Sequence, residues 1–504
     1  MTDGSPCQAT MKLTSEITAV FPEAYLVGGA VRDAVLKRPF KDIDIAVPPS
    51  AGFRSGTQRL ARALNAACFP LDEENQVWRL VTREAPVFQL DIAPFQGGTL
   101  EADLKRRDFT INALALKLEP GTQLASDRKT GGFTLRLEKA KVIDLCGGLK
   151  DAAAGRVRPE SPGVFLEDPL RLLRAFRIAS ALDFAIAPAA LKTIKSQAGL
   201  ISGSAGERVR EELLRLFESP VSHKWLALMH KAGLLCAVFP ELAAQEKCAV
   251  VYYGKGGVLK HTLRVVERID HLFANLPAYF PEHKKISSFL PRPPVMKFAA
   301  LLHDVAKPPK AGMIKGRLRF FGHEEYGAVM SEKIMERLRF SRDEIRLVTK
   351  IIGTHLRPGN LAANEHISDR AMFRFFRTMG EHTIPLLTLS WADHSSYVSE
   401  EMLKKFRKKL QQPPFPMPPK GLPYNSPQKT LRFMQTLHLL FKVYLKKNLK
   451  LQATRLIDGD DIIKTLKMPE GPRVGEILER VQLLQFEGKV KTREQALKVL
   501  KGMR

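Results

Sequence analysis

The chain has 504 residues, 44% of them hydrophobic, which excludes a disordered protein and is too long for one ordinary domain. Lys and Arg number 79 against 53 Asp and Glu, a net charge of +26 that fits a polyanionic partner, nucleic acid ahead of a membrane surface. Five scattered cysteines (Cys7, Cys68, Cys146, Cys236, Cys248) form no CxxC pair and exclude a disulfide framework.

That cysteine usage fits a reducing cytoplasm. The opening segment MTDGSPCQATMKLTSEITAVF lacks the basic-then-apolar order of a signal peptide, and no run of about 18 apolar residues predicts a membrane helix. From about residue 24 to 150, short strand-like runs alternate with helical stretches. DIDIAV, QVWRLV and VFQLDIAPF read as strands by their alternating β-branched and aromatic residues. Residues 118–141, polar and Gly-containing, read as a surface hairpin. From about 160 the pattern is almost wholly helical. QQPPFPMPPKGLPYNSPQ (411–428) reads as a stiff Pro-rich linker before a short helical tail.

LVGGAVRDAVLKRPFKDIDIAV (26–47) carries the first constellation. Asp42 and Asp44 are two apart on what reads as a buried strand, so both face one side. Like charges there are costly unless a cation neutralises them, and carboxylates with phosphate oxygens suit Mg²⁺. Gly28 and Gly29 lie upstream, where bare backbone at a strand-to-helix passage can approach a phosphate. An Asp-x-Asp alone fits two solvated strand-end aspartates better; GGxxRD at this spacing favours the metal reading.

GGAVRDAVLKRPFKDID resembles the first motif of the class II tRNA nucleotidyltransferases and their sister bacterial poly(A) polymerases, within the polymerase-β-type superfamily. RRDFTINALAL (106–116), DLCGGLKDAAAGRVR (144–158), EDPLRLLRAFRIAS (167–180) and ERVREELLRL (207–216) resemble the later motifs in order, so the likeness covers about residues 24 to 220. It implies that Asp42 and Asp44 hold two metal ions, one activating a 3′-hydroxyl and one holding the triphosphate. Asp91, in FQLDIAPF, is the candidate third carboxylate, with an ordinary strand aspartate as the alternative. By the same resemblance Arg32 contacts the triphosphate, and Arg107, Asp108 and Asn112 hold the incoming sugar and phosphates.

Asp168 and Arg171 lie three apart on a predicted helix, hence on one face. An ionised Asp only accepts and an Arg only donates hydrogen bonds. The pair asks for an amine beside a ring-nitrogen acceptor, which cytosine and adenine offer and guanine and uracil do not. CTP and ATP are therefore the expected substrates. Only APFQGGTLEADLK (93–105) separates Asp91 from Arg106. Many CCA-adding members carry a longer flexible loop there, which helps switch the pocket from CTP to ATP; the shortened version resembles the CC-adding branch.

A second constellation follows: His261, the adjacent His303 and Asp304, then His323, His355 and Asp393. Imidazoles with a bridging carboxylate suit one or two divalent ions. The series resembles the HD phosphohydrolase domain, which implies hydrolysis of a cyclic phosphate, a 2′-nucleotide or a phosphate at an RNA end; metal binding without hydrolysis stays open. In the tail, GPRVG (471–475) with Arg473 reads either as a phosphate grip or as a plain inter-helix turn. KKFRKKL (404–410) and KVYLKKNLK (442–450) read either as RNA-binding surface or as solvated helix faces.

The expectation is an α+β protein. It comprises a nucleotidyltransferase head with a small mixed sheet (1–150), a helical neck with base- and RNA-binding elements (151–250), an HD domain (251–410), a linker (411–430) and a helical RNA-binding tail (431–504). The expected partners are tRNA or other RNA 3′ ends, with no membrane and a cytoplasmic location. Poly(A) addition, an HD enzyme with an inert head, and a non-catalytic RNA-binding protein are the other readings.

Overall fold

The computed structural model describes residues 7–84, 87–120, 122–127, 132–135, 137–423, 425–448 and 456–503. The tip of the expected 118–141 hairpin, Tyr424 of the linker and the end of the second Lys-rich run lie outside the described residues. The chain falls into two compact units, Met1–Ser204 with Lys231–Ala237, and Ala205–His230 with Val238–Arg504.

The first unit is built on a sheet. Its strands are β1 (Tyr25–Val27), β2 (Asp42–Val47), β3 (Ala66–Asp72), β4 (Val77–Thr82), β5 (Gln89–Pro94) and β6 (Leu114–Lys117), followed by β7 (Leu124–Asp127), β8 (Gly132–Leu135) and β9 (Val142–Asp144). Seven of them form one sheet in the order β3-β4-β5-β2-β1-β6-β9. Only β2 and β5 run parallel; the other pairs are antiparallel. Period-2 alternation divides the faces. Ile43, Ile45, Leu80, Leu90 and Ile92 enter the main core with Leu13 and Ile17 of the helix Cys7–Val20 and Leu60 of the helix Phe53–Ala63. The opposite face carries Asp42, Asp44 and Asp91, beside a small cluster of Val27, Ala46, Phe95, Leu104 and Ala115.

Two expectations change here. Strand β2 is not buried at its start, for Asp42 is exposed and Asp44 half-buried. The 118–141 segment does form a hairpin, β7 with β8, but its inner face is core: Leu124 and Phe133 are buried, and Phe133 exchanges backbone hydrogen bonds with Phe40.

The motif after β9 is a packing device. The Asp144 carboxylate accepts the backbone N–H groups of Gly148 (2.8 Å) and Leu149 (2.9 Å), capping the helix Gly148–Ala153. Asp151 on that helix takes Thr110 Oγ1 (2.8 Å) and Arg158 Nε (2.7 Å). A Cβ on Gly148 would stand 2.1 Å from the Thr110 carbonyl oxygen.

The second unit is almost entirely helical. The helix Pro293–Leu302 is apolar all round and buried along its length, which makes it a core helix. Its one cation, Lys297, is satisfied: Nζ lies 2.7 Å from Asp270 Oδ1 and donates to the carbonyls of Phe217 (2.6 Å) and Ser219 (2.7 Å). That helix delivers His303 and Asp304 into the interior. The helices Gly257–Tyr279, His323–Arg337 and Thr383–Ser395 carry His261, His323 and Asp393, and His355 follows the helix Arg342–Ile352. The Pro-rich stretch is not a free spacer. Phe415 N donates to Gln435 Oε1 (3.0 Å), and Arg432 Nε donates to Phe415 O (2.9 Å), fastening it along the helix Pro427–Val443. The tail helices Gly459–Leu466, Pro472–Phe486 and Arg493–Lys501 share a core of Ile462, Val481, Ala496 and Leu500. Arg473 is exposed at the start of the middle one, whereas Lys447 of the second Lys-rich run is paired with Asp369 (3.1 Å).

Because Gly148 sits against the Thr110 backbone, Gly148→Ala is expected to destabilise the first unit by about 1–3 kcal/mol. A lowered urea midpoint checks this; an unchanged midpoint contradicts the packing described.

Candidate nucleotide and metal sites

In the first unit the parallel register sets Asp44 beside Asp91, and Asp42 follows on the same face of β2. Asp91 is already partnered. Arg79, its antiparallel neighbour on β4, donates to both of its oxygens at 2.7 Å. Asp42 and Asp44 have no such clamp among the described residues. Gly28, at φ 73°, begins the helix Gly29–Val35 just below them. A Cβ there would stand 2.8 Å from Arg107 Nη1 and 3.6 Å from Asp44 Oδ2, so only glycine keeps this cradle open.

Around the cradle runs a polar chain. Arg32 donates to both oxygens of Asp33 (2.8 and 2.9 Å) and to Asn112 Oδ1 (2.7 Å). Asn112 Nδ2 donates to Asp108 Oδ1 (3.0 Å), and Asp108 Oδ2 pairs with Arg174 Nε (2.7 Å). Arg107 is held by Asp103 Oδ2 (2.9 and 3.2 Å), whose other oxygen accepts Gln96 N (3.1 Å). Gln96 belongs to the five-residue link Phe95–Thr99 between β5 and the helix Leu100–Lys105. The structure thus links Arg32, Asn112 and Asp108 in one polar chain and sets Gly28 between Arg107 and Asp44. Gly29 sits on the first turn beside Arg32.

Asp168 and Arg171 depart from expectation. The helix starts only at Arg171, and Asp168 precedes it in extended backbone, its Oδ1 accepting Leu170 N (3.1 Å). They are not two positions on one helix face, because Pro169 follows Asp168 and the residue before a proline disfavours helical dihedrals. Arg171 donates to Glu167 Oε2 (2.9 Å), to Val164 O and to Arg106 O (both 3.2 Å). Sequence reasoning missed Asp103, Arg79 and Arg174. Asp103 was legible as the i−4 partner of Arg107; Arg79 required the sheet register.

In the second unit six residues converge. Asp304 Oδ2 lies 3.4 Å from His261 Nε2 and 3.1 Å from His303 Nε2, while Oδ1 lies 3.5 Å from His323 Nε2 and 3.9 Å from His355 Nε2. Asp393 Oδ1 is 3.2 Å from His261 Nε2. His261, His303 and Asp393 form one group, and Asp304, His323 and His355 a second, each with ligand atoms within 4.8 Å of one another. The other ring nitrogens are occupied. Nδ1–H of His303, His323 and His355 donates to the carbonyl three residues earlier, at 2.8, 2.7 and 2.7 Å. That fixes the tautomer and turns the bare Nε2 inward. Nε2 of His261, His303 and His323 and Oδ1 of Asp304 and Asp393 are buried without an aligned hydrogen bond among the described residues. Buried acceptors of this kind fit divalent cations, with Asp304 placed to bridge two of them.

Burial holds the His355 imidazole down at about 4. Burial opposes ionisation of Asp304, but His303 and Lys307 outweigh it and hold its carboxyl well below the ordinary range. Lys307 donates to Asp304 Oδ2 (2.6 Å) and Tyr253 Oη (2.9 Å). The His261 ring is sandwiched between Tyr253 and Tyr397, centroids 4.7 and 5.3 Å away. Lys307 was missed, although three residues after Asp304 in HDVAK its place one turn on was readable.

A mixed sheet presenting three carboxylates beside a glycine cradle, followed by helices holding a His/Asp centre, is the arrangement of a nucleotidyl-transfer head followed by a helical region with a candidate metal centre. Residues 24–158 match the poly A polymerase head domain, 183–246 the probable RNA and SrmB-binding site of polymerase A, and 258–398 the HD domain. The chain is 41% identical over 216 residues to a CC-adding tRNA nucleotidyltransferase of Geobacter sulfurreducens, across 43% of this chain and 45% of that protein, so the match spans under half of that relative. It is 29% identical over 483 residues to an A-adding tRNA nucleotidyltransferase of Deinococcus radiodurans, 94% of each chain. It is 30% identical over 360 residues to a multifunctional CCA protein of Nitrosococcus oceani, 67% of this chain and 78% of that one. The Thermotoga maritima CCA-adding enzyme complexed with tRNA shares the fold at 21% identity and a TM-score of 0.59, covering 98% of this chain and 94% of that one. The chain belongs to the tRNA nucleotidyltransferase family.

Burial is the largest cause pushing the Asp44 carboxyl up from 3.8 to about 6; Asp91 and Asp42 add to it, and Arg107 and Arg174 oppose it. A raised folded value means that stability present below pH 4 is lost as pH rises through about 6. In chelator, Asp44→Asn is therefore expected to be more stable than wild type at pH 7.5 by about 1–3 kcal/mol, an advantage that shrinks below pH 5. Urea unfolding across pH checks this; a less stable variant at pH 7.5 contradicts it.

Proposed function

We propose that this enzyme extends tRNA 3′ ends from CTP and stops after the second C, and that its His/Asp centre hydrolyses phosphoesters at RNA ends. The observation that carries the first part is the five-residue link Phe95–Thr99. It leaves no length for a mobile loop between β5 and the helix Leu100–Lys105, and it is pinned through Gln96 to the Asp103 that holds Arg107. The 41% match to a CC-adding relative, which is confined to under half of the chain, supports the same reading.

Divalent ions, Mg²⁺ by the hardness of the ligands, held by Asp42 and Asp44 with Asp91 beside them, would neutralise the triphosphate and lower the cost of forming the attacking alkoxide. Gly28 lets the phosphates approach the backbone. Arg107 and Arg32 meet the triphosphate charge, and Asp108 and Asn112 hold Arg32 and Arg174 in place for the incoming sugar. The accepting Asp168 and the donating Arg171 read the amine and ring nitrogen shared by C and A, excluding G and U by leaving buried groups unpaired. That pair does not separate C from A, so the choice between them falls to whatever reshapes the pocket. With a short, pinned link the pocket stays in its CTP form.

The proposed functional divisions are head 1–150, base- and RNA-reading neck 151–250, HD region 251–410, linker 411–430 and tail 431–504. Divalent ions held by His261, His303, Asp304, His323, His355 and Asp393 would supply Lewis-acid chemistry to a phosphoester. There Lys307 adds a fixed positive charge beside the bridging carboxylate. No described helix is long and apolar enough to cross a membrane, and a cytoplasmic location completes the reading.

The test is addition to tRNA lacking its CCA end, with Mg²⁺ and CTP alone, ATP alone or both, followed by 3′-end sequencing. Growth by two C residues without A is expected. A completed CCA or a long A tract contradicts the proposal. Separately, Asp42→Asn with Asp44→Asn is expected to abolish incorporation and spare cyclic-phosphate hydrolysis, with Asp304→Ala doing the converse. Loss of both activities in either variant contradicts two independent centres.

A further inference from the structure

Between Asp304 and Glu324 the chain carries Lys307, Lys310, Lys315, Arg317 and Arg319 and no carboxylate. The middle of this stretch is a hairpin, Gly312–Ile314 paired antiparallel with Arg317–Arg319. Its register sets Gly312 opposite Arg319 and Ile314 opposite Arg317, so the two arginines share one face. Every residue of the two strands except Leu318 is exposed. A hairpin of three-residue strands gains little from its own packing, so burial does not account for it. Lys310, Lys315, Arg317 and Arg319 pair with no carboxylate among the described residues.

This hairpin is tied to the His/Asp centre through its second strand. The Leu318 carbonyl accepts the Tyr252 hydroxyl (2.9 Å), and neighbouring Tyr253 stacks on His261. Lys307, which contacts Asp304, stands 5.7 Å over the ring of Phe320. Next to Phe320, Phe321 is 71% exposed, and one turn into the following helix Tyr326 is 42% exposed with Lys310 Nζ 4.8 Å over its ring. Large exposed aromatic faces interleaved with unpaired cations, beside a phosphoester site, suit unstacked bases joined by phosphates.

We propose that the hairpin and its flanking aromatics bind single-stranded RNA next to the His/Asp centre, Arg317 and Arg319 on the phosphates, Phe321 and Tyr326 as stacking planes. This rests on reading that centre as a phosphohydrolase, and it names the substrate as an RNA end rather than a free nucleotide. A duplex does not suit the surface, because its bases have no free faces. An acidic protein or an anionic lipid surface would meet the charges but leave the rings without a stacking partner.

The test uses the full chain with Arg317→Ala/Arg319→Ala and, separately, Phe321→Ala, all at exposed positions. Hydrolysis is compared on an oligoribonucleotide of about six nucleotides ending in a 2′,3′-cyclic phosphate and on cyclic CMP. The KM for the oligonucleotide is expected to rise about tenfold, with kcat at saturation retained and no matching loss on the mononucleotide, which is too short to reach the hairpin. Equal losses on both substrates, or no change on either, overturn the proposal. If wild type hydrolyses neither substrate, the phosphohydrolase reading fails by itself, and amide exchange decides the surface. Slowed exchange over residues 312–321 with the oligonucleotide upholds RNA binding. Absent protection, or protection only by phosphatidylserine vesicles or an acidic peptide, overturns it.

Discussion

Acceptor atoms aimed at one another with too few donors govern both sites. In the first unit Asp42, Asp44 and Asp91 occupy one sheet face, and Arg79 satisfies only the last. In the second, imidazole Nε2 atoms and carboxylate oxygens meet in the interior, where Lys307 serves a single oxygen of Asp304. Carboxylates about 4 Å apart repel by roughly 4 kcal/mol at an effective dielectric of about 20, so the first arrangement is not a stability device. Each is held by rigid surroundings: the β2–β5 register on one side, and three Nδ1–H to carbonyl bonds on the other. The rest of the fold keeps these groups where the proposed cations would complete them.

Chemistry that recurs at fixed short spacing was legible in the sequence, and chemistry made by register was not. Asp-x-Asp on an alternating run placed two carboxylates on one face because the strand period is 2. The His/Asp series was readable because each member stands in a recognisable local setting. Strand β3 escaped notice because Pro70 interrupts its run and the register shifts there. The hairpin β7–β8 looked like surface because its outer residues are polar, while Leu124 and Phe133 carry the buried face. Asp168 and Arg171 were set on one helix because their spacing fits one; Pro169 starts that helix later. Arg79 and Asp103 act on residues already singled out, and each needed the fold to bring it there.

In the proposed reading the Phe95–Thr99 link carries the choice between C and A. Within the head, one carboxylate, Asp103, fixes both the link and Arg107. Under that proposal a base-reading pair that accepts C and A alike would leave the outcome to the freedom of its surroundings, and here the link is short and fastened. The His/Asp centre lies in the other compact unit, with its own second shell of Tyr253, Ser396 and Tyr397 around His261. The two proposed reactions would therefore share one chain without sharing a residue.

The most direct measurement is anomalous scattering from crystals of the full chain soaked in Mn²⁺. Peaks against Asp42 and Asp44 on one side, and peaks flanking Asp304 between His261–His303–Asp393 and His323–His355 on the other, are the result predicted. Ordered crystals without density at either place, or with the ion on surface carboxylates alone, would contradict the account that cations complete both sites.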